Sequence, residues 1–263
     1  MRKGMGVSPE PGILRDFFAI SVAAFSASII IPLARKFLDK KTLLSLGLIT
    51  NSKAFKDVLF GFFLSGFMAA AVFLIMMFTG LIEVIGINWG SANESGSLAS
   101  YLTVMGFSSL LFLLLMDIII GWWEELVFRG YLLQNMIEGM GLKIAIVVSC
   151  VIYGIVHSMN PNATLLSTGI IILFGFLRIY GYLATKLLWL SIGMHTGWNF
   201  FQGPIFGYAA SGHKTATLIT HTANGPDWLT GGEFGPEGSV LIIPIIAAAI
   251  YVMYLWAKLK TQK

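Results

Sequence analysis

Three ionisable side chains fall within six positions of the segment GWWEELVFRG, residues 121–130: Glu124, Glu125 and Arg129. The flanks are almost wholly apolar, and a charged group at the centre of a membrane helix costs about 2.5–3.5 kcal/mol to insert. On a helix, Glu125 and Arg129 stand at i and i+4, where they can pair and neutralise each other. Glu124 is then left over, about 100° round the helix on the side of Phe128. Trp122, Trp123 and Phe128 are expected to desolvate it, and a desolvated carboxylate is a candidate general base near neutral pH. The alternative for Glu125 and Arg129 is a structural ion pair that ties helices together.

A base needs partners, and the next polar group in an apolar run is His157 in CVIYGIVHSMNPN. If the chain folds as an antiparallel hairpin centred on Met140, Glu124 lies sixteen residues before the turn and His157 seventeen after it. At 1.5 Å per residue both stand about 24–26 Å from the turn, and so at one level. His195 and Asn199 in WLSIGMHTGWNFFQG share a helix face at i and i+4, and both can donate hydrogen bonds. Measured from a turn near residues 183–186, however, His195 falls roughly 10 Å short of His157 on straight helices.

Other polar groups carry weaker expectations. Asp117, two turns before Glu124, is expected to be a hydrogen-bonded structural carboxylate. His213 and His221 lie in a glycine-rich polar stretch and are expected to be solvated. Cys150 shares a helix face with His157, which permits a thiol nucleophile, but an isolated cysteine in such a helix usually packs. HExxH is absent. Two histidines and a carboxylate, here His157, His195 and Glu124, are nevertheless an acceptable zinc set; hydrolysis by a carboxylate base needs no cofactor.

These groups must be held by membrane helices. Of the 263 residues, 56% are hydrophobic and 11% charged, against about 25% charged in soluble domains. Mean hydropathy is +0.80. Runs such as LLFLLLMDIII lack the period-two alternation of outer-membrane strands, so the predicted fold class is all-α, a polytopic bundle of seven or eight transmembrane helices around a polar cavity. Spans are expected near 17–34, 58–82, 102–120, 124–138, 143–158, 165–182, 187–206 and 239–257, the fourth being either a half-span or a continuation of the third after a break at Gly121. One integral membrane domain, 1–263, results, with N-terminal helices and loops over 1–114 and a core over 115–245. The net charge of +4 comes from thinly spread Lys and Arg on connecting segments, which argues for topology signals rather than nucleic acid. The cluster Arg35, Lys36, Lys40, Lys41, Lys53 and Lys56 is expected in the cytoplasm. With eight spans, Lys143, Arg178, Lys186, Lys258, Lys260 and Lys263 would then face outward, a conflict that a re-entrant run between Gly203 and Gly238 would partly relieve. One cysteine excludes an intramolecular disulfide. Arg2 and Lys3, set well before an apolar stretch that Arg35 and Lys36 follow, fit a retained anchor better than a cleaved signal.

EELVFRG, then Tyr153 with His157, then HTGWN, in that order and each in an apolar helix, resemble the motifs of the CPBP group of intramembrane glutamic proteases, the CAAX prenyl protease type II and bacteriocin-processing (Abi) family. The likeness continues through LTGGEFGPEGS and covers roughly residues 115–245. Tyr153 stands where phenylalanine is common. The resemblance implies a membrane endopeptidase reached from the cytoplasmic side, in which Glu124 with His157 activates water and His195 and Asn199 stabilise the oxyanion. Glu125 and Arg129 would support the site. It also implies a peptide or lipidated protein substrate within the bilayer, from C-terminal processing or bacteriocin maturation. A non-hydrolytic transporter or self-immunity factor is the alternative from another class.

Overall fold

The computed structural model describes residues 12–90 and 106–261. The start of the expected third span and most of the loop before it lie outside them. The architecture is helical, with helices α1 (Gly12–Phe37), α2 (Ser52–Phe78), α3 (Phe107–Glu125), α4 (Leu133–Met140), α5 (Leu142–His157), α6 (Leu165–Thr185), α7 (Trp189–Phe200), the single turn α8 (Asp227–Thr230) and α9 (Ile242–Thr261). Four stretches, Phe17–Phe37, Ser52–Phe78, Leu165–Thr185 and Ile242–Lys260, are long and apolar enough to cross a bilayer, and Leu142–His157 is a shorter apolar helix. Those four stretches, by length and composition, make the chain an integral membrane protein.

The expected third and fourth spans are one continuous rod. The helix does not break at Gly121; a π-helical stretch, Leu126–Leu132, joins α3 to α4, and the Leu133 amide donates to Phe128 O five residues back. The rod ends at Gly141, whose φ of +79° turns the chain into α5. α5 and α6 meet at small residues: a Cβ on Gly154 would come within 2.5 Å of Ile172, and one on Gly175 within 3.1 Å of the Cys150 sulfur.

Glycine also sets the contact between α2 and α7. A Cβ on Gly193 would sit 2.2 Å from Val58 O, one on Gly197 2.4 Å from Phe62 O, and one on Gly61 2.5 Å from Leu190 O. The two backbones therefore lie against each other, the small-xxx-small mode of membrane helix packing. On its other side α7 meets α3 at Gly121, where a Cβ would be 2.6 Å from Thr196 Oγ1. Held between two helices at backbone distance, α7 has little freedom to rotate.

The cationic connections gather at one end of the bundle. Lys41 pairs with Glu138 and Lys260 with Asp57. Arg35 Nη1 binds Asp39 at 3.0 Å and Asn135 at 3.1 Å, and the Leu188 amide donates to Gly47 O at 3.0 Å. At the opposite end β1 (Ile82–Ile87) and β2 (Ile219–Ala223) pair antiparallel with an irregularity between Val84 and Gly86. This ribbon departs from the all-α expectation. The glycine-rich run between Gly203 and Gly238 carries the end of a π turn (Phe201–Ile205), β2, α8 and two 3-10 turns.

Candidate active site

Glu124 and Glu125 end α3, His157 ends α5, and His195 lies in the middle of α7. The level argument for the hairpin holds: His157 Nε2 is 3.8 Å from Glu124 Oε2. His195 Nε2 is also 3.8 Å from that oxygen. The expected 10 Å shortfall vanishes because the two turns are not level. Leu188 packs 3.2 Å from where a Gly130 Cβ would be, and Gly130 precedes Met140 by ten residues, or about 15 Å of helix. The turn before α7 is inset, and α7 starts deeper in the bundle than α5.

Both imidazoles are held through Nδ1. His157 Nδ1 lies 2.9 Å from Tyr153 O and His195 Nδ1 2.9 Å from Glu125 Oε1. A carbonyl and a carboxylate only accept, so each Nδ1 carries its hydrogen, and each ring turns its Nε2 toward Glu124. Glu125, fully buried, also accepts from Arg129 Nη1 at 3.1 Å and has Arg178 Nε at 3.9 Å. Glu125 and Arg129 are thus an ion pair, as one expectation had it, and the carboxylate in addition orients His195.

Asn199 lies half-buried one turn beyond His195; its amide makes no side-chain hydrogen bond among the described residues. The neighbours expected to desolvate Glu124 are only partly right. Phe128 meets the Tyr153 ring edge-on at 4.9 Å, while Trp122 and Trp123 pack with Leu126, Leu188 and α1. Trp122 Nε1 donates to Ser28 at 3.0 Å.

Three site residues were not foreseen in these roles. Tyr153, read only as the motif aromatic, donates its hydroxyl to Glu124 Oε2 at 3.1 Å. Arg178, read as a topology charge, is buried and donates to the Tyr153 hydroxyl. The cost of a cation inside an apolar 21-residue helix was the signal for it. Glu237, fully buried, accepts from Trp198 Nε1 and the Ser211 amide, both at 2.8 Å, and lies close enough to act electrostatically on His157 and Arg178. Its signal was faint, a carboxylate in a glycine-rich loop. Three carboxylates (124, 125, 237) stand against two guanidinium groups (129, 178) in this buried cluster.

The remaining expectations divide. Asp117 is buried; its carbonyl accepts from Thr196 Oγ1 at 3.4 Å, and its Oδ2 has no partner among the described residues. Cys150 is buried against Gly175, Leu133, Ala145 and Ile179, apart from the histidines. His213 is exposed, but His221 is not solvated. Its ring packs on Tyr208 at 4.5 Å and Phe73 at 6.1 Å, and burial lowers its pKa. For a metal, the donor types fit and both Nδ1 anchors are of the kind that orient metal-binding histidines, yet among the described residues no group of three or more His, Cys, Asp or Glu has the arrangement to hold one.

Residues 105–201, which contain the site from Glu124 to Asn199, match the family model described as type II CAAX prenyl endopeptidase Rce1-like. No curated protein and no solved structure gives a significant match.

Proposed function

We propose, with the CPBP group of CAAX-type membrane proteases that this match supports as the premise, that the chain is a glutamic endopeptidase whose base is Glu124. One observation carries the reading: the Nε2 atoms of His157 and His195 converge on Glu124 Oε2, each at 3.8 Å, while both Nδ1 atoms are tied elsewhere. In the proposed reaction Glu124, with His157, takes a proton from water, and the hydroxide adds to the scissile carbonyl. The oxyanion accepts hydrogen bonds from His195 and the Asn199 amide; the C–N bond then breaks as the proton passes to the leaving amine. His195 donates through Nε2 as an imidazolium, with the Glu125 carboxylate on Nδ1 as its counter-ion. Preformed donors of this kind are worth about 3–4 kcal/mol each in a water-poor site. The substrate is a peptide or lipidated protein that reaches the site within the bilayer, and the cationic end of the bundle faces the cytoplasm.

The test is cleavage of a peptide library by protein reconstituted in vesicles, comparing wild type with Glu124→Gln and His157→Ala. Product from wild type and loss of at least about a thousandfold in both variants is expected. Equal product from all three would sink the assignment. Loss of wild-type activity with a chelator and recovery with zinc would replace the free carboxylate base by a metal held on the same three groups.

A further inference from the structure

The Tyr153 hydroxyl is enclosed on every side that chemistry uses. Arg178 Nη1 donates to its oxygen, and the Arg129 guanidinium lies 4.2 Å over the ring, with that of Arg178 at 5.6 Å. A guanidinium has no acceptor, so the single phenolic hydrogen must point away from Arg178. The acceptor within reach is Glu124 Oε2 at 3.1 Å. The ring is locked as well, by Phe128, Ile171 and Phe234 around it and by its 1% exposure. Two cations beside the phenol draw charge from its oxygen and strengthen it as a donor.

We propose that Tyr153, backed by Arg178, is a positioning residue that pins Glu124 Oε2 between His157 and His195 and so fixes the rotation of the carboxylate. The hydroxyl, absent from a phenylalanine at this position, is what performs the task. With Oε2 held by the phenol and flanked by both rings at 3.8 Å, the plane of the carboxylate is set before substrate arrives. Arg178 acts through Tyr153: it does not touch Glu124, and its hydrogen bond decides which way the phenol points. This inference rests on the glutamate-base reading above.

The experiment uses the full chain reconstituted in vesicles and the variants Tyr153→Phe, Arg178→Gln and their double. Tyr153→Phe is expected to lower kcat roughly 10- to 100-fold, the worth of one hydrogen bond to a charged group, with KM changed by less than about twofold and the thermal midpoint held. If Arg178 acts through the phenol, Arg178→Gln costs little more in the Tyr153→Phe background than Tyr153→Phe alone. An infrared readout needs no substrate: the carboxylate band that disappears in Glu124→Gln is expected to move in Tyr153→Phe. Unchanged kcat with a lowered thermal midpoint would mean a merely structural hydroxyl and overturn the proposal. So would an unmoved band. If wild type cleaves nothing in the library, the protease reading falls by itself and the infrared band alone decides whether Tyr153 holds Glu124.

Discussion

At the scale of single residues, the site is a problem of buried charge solved by pairing. Glu125 and Arg129 show almost no exposed surface, and removing one member of such a pair strands the other. Arg129→Gln is therefore expected to destabilise the protein by about 3–5 kcal/mol, read as a lowered midpoint in denaturant or heat in detergent. Arg129→Lys keeps the charge but loses the flat contact over Tyr153, so it is expected to recover only part of that loss. Glu125→Gln strands Arg129 in the same way and also removes the anchor for His195 Nδ1, so it should lower kcat as well as stability. The same reasoning explains what was readable beforehand. Glu124, Glu125, Arg129 and His157 were conspicuous because each is costly where it stands. Arg178 is equally costly, but near other cations it passed for a topology signal. The donor role of Tyr153 was hidden because its partner lies on another helix, and residue type alone does not reveal where a phenol points.

Among elements, the hairpin at Met140–Gly141 was legible because equal arm lengths force equal depth, while the depth of α7 was not. Helical rise measures distance from a turn, and only packing says how deep the turn itself lies. That depth is set by Leu188 against Gly47 and Gly130, none of which has a sequence signature. Close packing of α7 yields a sharp expectation. Gly193→Leu or Gly197→Leu places a side chain where Val58 O or Phe62 O already lies, pushes α2 away and moves His195 from Glu124. Overpacking of this kind costs about 1–3 kcal/mol or more; a fall in thermal midpoint with loss of cleavage is expected, while Gly139→Ala, with nothing within 4 Å, should change neither. The β1–β2 ribbon supplies a pH test. Burial lowers the His221 pKa from 6.5, so its contribution to stability is full above about 6.5 and is lost as pH falls from there to the lower folded value. His221→Phe should flatten that part of the midpoint-against-pH curve; an unchanged slope would assign it elsewhere.

Across the whole molecule, the conflict between cationic turns and the positive-inside rule arises when the third and fourth expected spans are counted as two crossings. If the rod that α3 and α4 form through the π-helical stretch crosses the bilayer once, one crossing leaves the count and every later connection changes side. Lys260 then meets Asp57 beside the start of α2, and Lys186 O lies 2.9 Å from where a Gly47 Cβ would be. No re-entrant segment is needed to bring these groups to the end that carries Arg35 and Lys41. Arg178 leaves the topology count altogether, since its charge is spent on Tyr153 and Glu125. A cationic end of this kind is held in the cytoplasm, so a fluorescent protein fused after Lys263 should fluoresce in a bacterial host. Alkaline phosphatase inserted between Ser211 and Lys214, in the loop at the far end, should be active. Swapping the two reporters should silence both, since one folds only inside and the other only outside. The reverse result, a dark C-terminal fusion with phosphatase active there, would place the cationic turns outside and break the link between charge and orientation on which the assignment of sides depends.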